Sequence, residues 1–382
     1  MRNMVPMRSL PVLLLRLPLL VAIAASAALV VEYTNAGDPA FCGVLSGCFA
    51  VRVSAYSRLF GAPLPSIGLA AYTLLFGLTL VARKRIQHLA VAILAVLGAL
   101  FAVWLLYLQK AEIGAFCQWC VAVDTSAIVA AFAASWVAIR AWKDEASVLL
   151  PSLGRVTFAW VFAATLGIVA PFVWGRYPVE PPLAAPIAAE QMPGVVTLVG
   201  FTDFECPFCR KMHPVLHDLV ERSSGRVRLL RRMMPLSGHP GAEPAALVYL
   251  CAPEPLKELV ADKLYTASPE DLSPEGAVAI AVKAGADAAA MAACVKSPET
   301  KARLAADKKL FDELGGRGLP FTFVGRRVVL GFNPDRVESA VAQEMAGAHL
   351  SLPVWSMFLL LGIAFLGAAF VTVRTRPDRA PS

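Results

Sequence analysis

Charge is scarce in this 382-residue sequence: Asp, Glu, Lys and Arg together make up 16%, and histidine occurs five times. Hydrophobic residues reach 57% and the mean hydropathy is +0.62, which excludes a chain that is soluble throughout. The formal charge of +7 is not gathered into a basic patch with interleaved aromatics, so a nucleic-acid partner is not expected. The eight cysteines lack the accompanying histidines and paired knuckles of a zinc site, so no metal is expected either. No internal repeat is visible.

What is present is a set of apolar runs, each near the 20 or so residues needed to cross a bilayer. They lie near Leu10 to Val31, Leu64 to Val81, Leu89 to Leu108, Cys120 to Ala141, Val156 to Trp174 and Leu352 to Val373. The basic residues sit at their ends. Arg2, Arg8 and Arg16 flank the first run, and Arg83, Lys84 and Arg85 join the second to the third. Arg140, Lys143 and Arg155 join the fourth to the fifth, and Arg374, Arg376 and Arg379 follow the sixth. The positive-inside rule puts all four clusters in the cytoplasm. The loop from Glu32 to Pro63, the turn from Gln109 to Phe116 and the segment from Gly175 to Ser351 then lie on the other side, and every cysteine falls at or beyond the outer face. The first run is read as an uncleaved helix; the alternative is a signal peptide cut near Ala25, Ser26 and Ala27, which also leaves Cys42 outside.

Composition changes after Trp174. The proline-rich stretch from Tyr177 to Pro193 reads as a linker leaving the membrane. Beyond it, Val195 to Phe201 and Val227 to Met233 are strand-like, and Pro207 to Arg222 has helical apolar spacing. A block of helices follows, over Glu243 to Ala252, Pro255 to Thr266, Pro274 to Ala284, Ala286 to Lys296 and Thr300 to Leu314. Pro320 to Val324 and Arg327 to Leu330 form a hairpin pair, and Pro334 to Met345 a last helix. That order is the α/β thioredoxin fold with a helical insertion. The expected division is 1–150 for a membrane helical bundle, 151–178 for a linking membrane helix, 179–348 for the thioredoxin-like domain, and 349–382 for a C-terminal membrane helix and cytoplasmic tail.

The cysteines fall in pairs. In Phe201 to Arg210, FTDFECPFCR, a CxxC stands at a strand-to-helix junction. Free amides and the dipole at a helix N-terminus stabilise a thiolate there, so Cys206 is expected to be the exposed nucleophile and Cys209 the buried resolving thiol. Pro207 suits the first helical turn. A second pair, Cys117 and Cys120 in FCQWC, stands at the outer mouth of the fourth membrane helix, where thiols can meet a lipid-soluble carrier; small residues serving helix packing are the alternative. Cys42 and Cys48 lie in the first outer loop. Cys251 and Cys294 lie in the helical insertion and read as a structural disulfide, with two separate buried thiols as the alternative. His213 and His217, one turn apart, read as a solvated helix face rather than as ligands. Asp203 and Glu205 either tune Cys206 or belong to the surface.

Phe204 to Cys209, together with Gly318, Leu319 and Pro320, resembles the DsbA-like branch of the thioredoxin superfamily. That resemblance implies a cis proline at Pro320, with Leu319 presented to a substrate polypeptide. The residue before that proline departs from the commoner threonine or valine, and Pro and Phe between the cysteines depart from Pro and His. The stretch CGVLSGCFAVRVSAYSRLFGAPLPSIGLAAY resembles the vitamin K epoxide reductase family, in which a loop cysteine pair, a serine six residues on and a Gly-x-Pro precede the second helix. The two resemblances cover roughly residues 10–141 and 190–346. Together they imply a VKOR-like four-helix core with a linking helix, joined to a DsbA-like domain.

They also imply a relay in which Cys206/Cys209 oxidise extracytoplasmic cysteine-containing proteins. Cys42/Cys48 reoxidise that pair, with Cys42 meeting Cys206 and Cys48 meeting Cys117. Cys117/Cys120 then pass the electrons to the membrane quinone pool, ubiquinone or menaquinone, with Cys120 facing the quinone. Ser54 matches a polar position of the family, beside its reading as a helix cap. The expected location is a bacterial cytoplasmic membrane. Rival readings are a reductase or isomerase exporting reducing equivalents, a non-enzymatic membrane assembly factor, and, on the expectation that no charged residue lies deep in the helices, least of all a transporter.

Overall fold

The computed structural model describes residues 10–34, 40–42, 46–143, 154–347 and 350–375; Arg2, Arg8, Arg376 and Arg379 lie outside the described residues. The chain divides into two compact units.

The first unit is helical. Its elements are α1 (Leu10–Thr34), α2 (Gly47–Val53), a short β1–β2 hairpin (Arg58–Leu59 and Ala62–Pro63), α3 (Leu64–Val81), α4 (Arg85–Leu108), α5 (Gln118–Lys143), α6 (Arg155–Trp174) and, from the chain's end, α15 (Val354–Arg374). Among the described residues six helices, α1, α3, α4, α5, α6 and α15, are long and apolar enough to cross a membrane. Without water in the bilayer, a helix satisfies its own backbone groups, which is why uninterrupted apolar sequence takes this form. Helix α1 packs against α3, α5 and α6. Its buried run Ala22, Ala24, Ala25, Ser26, Ala27 and Ala28 keeps side chains short, so neighbouring backbones approach closely. Helix α5 answers with Ala127, Ala130, Ala131, Ala134 and Ala138. Helix α15 packs on α6, where Trp160 Nε1 donates to Thr372 Oγ1 at 2.8 Å and Trp174 Nε1 to Ser356 Oγ at 3.0 Å.

Two expectations fail here. Arg16 does not flank α1 but lies within it, 5% exposed; its guanidinium donates to the Thr79 carbonyl at 2.9 Å and lies 5.6 Å from the Trp160 ring centre. Nor are the helices free of buried charge, because Glu32 in α1 and Asp124 in α5 are 4% and 3% exposed. A short polar sequence interval inside a long apolar run is easily averaged away, and the fold turns both acids inward.

The second unit begins at Glu180. It contains α7 (Ala185–Ala188), β3 (Val196–Thr202), α8 (Pro207–Arg222), β4 (Val227–Met233), α9 (Ala242–Cys251), α10 (Lys257–Thr266), α11 (Pro274–Lys283), α12 (Ala288–Cys294), α13 (Pro298–Glu313), β5 (Phe321–Val324), β6 (Arg327–Leu330) and α14 (Pro334–Ala346). The sheet order is β4-β3-β5-β6, with β3 parallel to β4 and antiparallel to β5. Side chains alternate across a strand. Val199 and Phe201 of β3 therefore join one core with the inserted helices, while Leu198 joins another with Met212, Leu216 and Leu219 of α8 and Val337 of α14. This is the thioredoxin-like α/β arrangement, with α9 to α13 as the insertion.

Cys251 and Cys294 are joined by a disulfide with Cα atoms 5.9 Å apart, closing a loop between residues 43 positions apart. A crosslink of this span stabilises by about 2 to 4 kcal/mol, chiefly by restricting the unfolded chain. Replacing both by alanine in the full-length protein is expected to lower the unfolding temperature of the thioredoxin-like unit and leave most thiol oxidation intact. A loss of oxidation at unchanged stability would instead make this a redox pair.

Candidate active site

Each unit carries its own group of thiols. In the first, Cys42, Cys48 and Cys117 are buried in one cluster with Ala25, Leu29 and Val123, against which Cys120 and Tyr72 pack. Cys117 stands at the head of α5, where its carbonyl accepts from Val121 N at 2.9 Å. Its Sγ accepts from Cys120 N at 3.2 Å, so the two thiols share the first turn of that helix. Cys48, near the start of α2, lies with its Sγ 3.2 Å from Cys117 Sγ. That contact pushes the Cys48 thiol up to about 11, with burial adding to it.

Three features hold this geometry. Glu32 Oε1, in the last turn of α1, accepts from the amides of Phe41 at 2.6 Å and Cys42 at 3.3 Å, tying the loop cysteine to the helix bundle. Gln109 Oε1, in a π-helical turn at the end of α4, accepts from Cys117 N at 2.9 Å. Gly47 is required by closeness: a Cβ there would lie 2.0 Å from the Phe116 carbonyl oxygen, so any side chain would push α2, and Cys48 with it, away from Cys117. Trp119 closes the outside, donating Nε1 to the Phe41 carbonyl at 3.0 Å and stacking on Phe358 of α15 at 5.7 Å. One turn beyond Cys120, Asp124 has a buried Oδ2 with no hydrogen-bond partner. Ser54 neither caps a helix N-terminus with its side chain nor reaches the thiols through a bond; its Oγ donates to the Val51 carbonyl at 2.8 Å, closing α2.

In the second unit Cys206 is the N-cap of α8, with Pro207 at the first helical position, and its carbonyl accepts from Arg210 N at 3.0 Å. The same local plan thus serves both CxxC pairs: the first cysteine ends the preceding segment and the second lies one turn into the helix. A hydrogen bond from the Cys209 thiol pulls the Cys206 thiol down to about 6, against burial and with help from the amides of Cys209 and Phe208. The same bond, with burial, pushes Cys209 well up.

Cys206 is not the exposed group expected of it. It is 5% exposed and packs in the core with Phe204, Cys209 and Leu319, whereas Phe208 beside it is 53% exposed. The Leu319–Pro320 peptide is cis, and Pro320 lines a small internal cavity together with Cys209. His213 is not on a solvated face. Its side chain is 9% exposed, bonded to Asp262 at 2.7 Å and to Arg231 at 3.2 Å, and stacked on Tyr265 at 4.3 Å, because α8 packs there against α10. Asp203 is likewise internal, 2% exposed. No group of three metal-ligating side chains occurs among the described residues.

Spacing does not mark Glu32, Gln109, Gly47 or Asp124. An acid inside an apolar helix is a signal that the sequence does carry, at Glu32 and Asp124. For Gln109 and Gly47 no local signal exists, since each is required by a backbone group outside its own helix, the Cys117 amide and the Phe116 carbonyl.

Residues 13–135 match the family model described as the vitamin K epoxide reductase family, and residues 194–343 match the thioredoxin model. A solved thioredoxin-like oxidoreductase from Silicibacter pomeroyi is 29% identical, over 41% of this chain and 90% of that one, with a TM-score of 0.37. Oxidised BdbD from Bacillus subtilis is 18% identical, over 44% of this chain and 94% of that one, also with a TM-score of 0.37. A curated relative, a Na(+)/H(+) antiporter NhaA 3 of Salinispora tropica, is 29% identical over 157 residues, 41% of this chain; the chain spans 24% of that relative's length. This protein thus joins a domain of the vitamin K epoxide reductase family, at residues 13–135, to a thioredoxin-like domain, at residues 194–343, in a chain whose described residues include six helices long and apolar enough to cross a membrane.

Proposed function

We propose that the protein drives disulfide formation in extracytoplasmic proteins, with electrons passing from substrate dithiols to Cys206/Cys209, then Cys42/Cys48, then Cys117/Cys120, and finally to ubiquinone or menaquinone. The observation that carries this reading is the 3.2 Å approach of Cys48 to Cys117, which sets a loop thiol against a membrane-helix thiol at exchange distance. In each exchange a thiolate attacks one sulfur of a disulfide, and the neighbouring thiol resolves the mixed disulfide. Two electrons move and the number of disulfides is unchanged.

Cys206 suits the first step. With its pKa at about 6, below the ordinary value, ionisation stabilises the reduced form above the ordinary thiol range, and that stabilisation is lost as pH falls through about 6. A stabilised reduced form makes the pair an oxidant of other thiols. Leu319 and Pro320, beside the pair, would bind the substrate chain.

The residues around Cys120 fit a quinone. Asp124 Oδ2 is buried without a partner, and the Trp119 and Phe358 rings flank the same end of α5. Asp124 would face a quinone oxygen, and Trp119 its ring. Such a group supplies a two-electron, two-proton acceptor that dissolves in lipid. The chain's own part is to present Cys120 at the helix mouth and to keep a buried carboxyl within a turn of it. Ser54, held by the Val51 carbonyl, has no step assigned to it.

The test is the purified full-length protein in lipid nanodiscs with a short-chain ubiquinone, given a reduced dithiol peptide. Quinol formation matched by peptide disulfide is expected. Peptide exchange with glutathione but no quinol would favour the reductase reading. For sidedness, a reporter active only outside the cytoplasm is expected to work after Gly225 and not after Arg376; the reverse pattern would overturn the location of the thioredoxin-like domain.

A further inference from the structure

Helix α15 lies outside both matched stretches, residues 13–135 and 194–343, yet it is built into the membrane thiol cluster. Val354, Met357, Phe358, Leu361 and Phe365 recur at helical spacing, so one face of α15 carries them all. Met357 and Leu361 are buried there with Ala24, Ala28 and Val31 of α1, Ala170 of α6, and Phe41, the residue before Cys42. Trp355, Leu359, Ile363 and Leu366, on the opposite side, are exposed. The start of the helix is pinned. Trp174 Nε1 donates to the Pro353 carbonyl at 3.2 Å as well as to Ser356 Oγ, and Leu352 N donates to the Tyr177 carbonyl at 2.8 Å. Two residues beyond Ser356, the Phe358 ring is set against Trp119, with centres 5.7 Å apart and planes 13° from parallel.

Trp119 stands between the two cysteines of FCQWC and is tied to the neighbour of the loop cysteine. Its Nε1 donates to the Phe41 carbonyl at 3.0 Å, and its ring meets the Phe41 ring edge-on, centres 5.6 Å apart and planes at 70°. Phe41 is gripped from the other side as well, because its amide and that of Cys42 donate to Glu32 Oε1. The segment that carries Cys42 is therefore strung between Glu32 of α1 and Trp119 of α5. Trp119 is half-buried, so its indole keeps this bond only while a neighbour bars its other rotamers. Phe358, stacked on its face, is that neighbour. A stacked aromatic pair favours the closed arrangement by roughly two- to tenfold beyond the area it buries.

We propose that α15 completes the membrane thiol centre, with Phe358 as a positioning residue for the exchange between the loop pair and the helix pair: Phe358 holds Trp119, Trp119 holds the Phe41–Cys42 segment, and Cys48 stays against Cys117. This rests on the relay proposed above. In the closed arrangement the Cys48 thiolate attacks Cys117 Sγ, the Cys117–Cys120 bond breaks, and Cys120 leaves with the electron pair. The Cys42 thiolate then attacks Cys48 Sγ, and Cys117 leaves in the same way. Two electrons have passed from the loop pair to the helix pair, and each departing sulfur takes up one of the two protons that the loop thiols gave up. Phe358 acts on the first attack, by keeping the loop in the position from which Cys48 reaches Cys117. The segment that returns to the membrane after the thioredoxin-like unit is thus part of the site and more than a second anchor.

The experiment uses the full-length protein in nanodiscs carrying Cys42→Ser and Cys120→Ala, which leaves Cys48 and Cys117 as the reactive thiols of the membrane unit. Diamide takes up two electrons and two protons as their disulfide forms, and mass spectrometry of non-reduced digests follows the crosslinked peptide in time. Adding Phe358→Leu, which keeps the apolar bulk and removes the ring, is expected to slow crosslinking by about two- to tenfold. Phe358→Tyr, which keeps a ring, should restore the rate, and Leu366→Ala on the exposed side of α15 should not alter it. Trp119→Phe, without the indole donor, should slow crosslinking by itself, and Phe358→Leu should add little to it, since both act through one bond. In the protein with all its cysteines, Phe358→Leu should lower kcat for quinol formation by a similar factor at an unchanged quinone KM. An unchanged crosslinking rate beside a lowered unfolding temperature would make α15 an anchor alone and overturn the proposal. A raised quinone KM at an unchanged crosslinking rate would also overturn it, by placing Phe358 against the carrier instead. No bond between Cys48 and Cys117 in the parent protein would sink the relay itself, whereas normal crosslinking without quinol would sink only the quinone step and leave the crosslinking rates to decide.

Discussion

Cys120→Ala is expected to bring dithiol-dependent quinone reduction down to background, a fall on the order of 10³-fold or more, as when a nucleophilic unit loses one of its members. The reason is geometric. Cys117 is buried, bonded to Gln109 through its amide, and in contact with Cys48, so it can still take up a sulfur from the loop pair. It keeps the backbone amide of residue 120, from which its Sγ accepts at 3.2 Å, and loses only the thiol that would close the second disulfide. Oxidised protein should therefore collect with Cys48 joined to Cys117, detectable as a crosslinked peptide in non-reduced digests, while Cys206 and Cys209 still complete a single round of substrate oxidation. Quinol formation at the wild-type rate would remove the helix pair from the end of the relay.

Much of this arrangement is legible in the sequence, because each part declares itself locally. Membrane helices require long apolar runs, and the expected segments of α1, α3 to α6 and α15 lie close to the observed ones. In the thioredoxin-like unit the expected strands at 227–233 and 327–330 and the helix at 207–222 coincide with β4, β6 and α8. The CxxC pairs announce themselves at helix starts. What local pattern does not carry is which backbone group outside its own helix a residue meets. Gly47 against Phe116 and Gln109 against Cys117 are 69 and 8 positions apart, and neither leaves a periodic trace. Burial inside a polar network is equally hidden. His213 looks like one of a pair of exposed histidines until α10 covers it, and Cys206 looks exposed until Leu319 and Phe204 pack beside it. The short α2 leaves no such trace, because seven residues, GCFAVRV, are too few to show a helical period.

Cys209→Ala is expected to stop turnover and to hold the first exchange at its midpoint. Cys206 is the lower-pKa thiol of its pair, and Cys209, 1% exposed with its pKa pushed up, would on the proposed relay be the thiol that resolves mixed disulfides within the unit. Without the resolver, a bond from Cys206 to another sulfur can be broken only from outside. The partner is expected to be Cys42, because Cys48 is already committed to contact with Cys117 and is free to attack it once Cys42 is engaged. Both domains belong to one chain, so the encounter is intramolecular, with an effective concentration that can reach the order of millimolar. The trapped species should then form in dilute protein with no second protein present. Mass spectrometry of a non-reduced digest should recover one peptide pair joining Cys206 to Cys42. Cys206 joined directly to Cys117 would overturn the three-step order. Cys206 found only with foreign proteins would mean that the fused domain serves a partner other than its own membrane thiols.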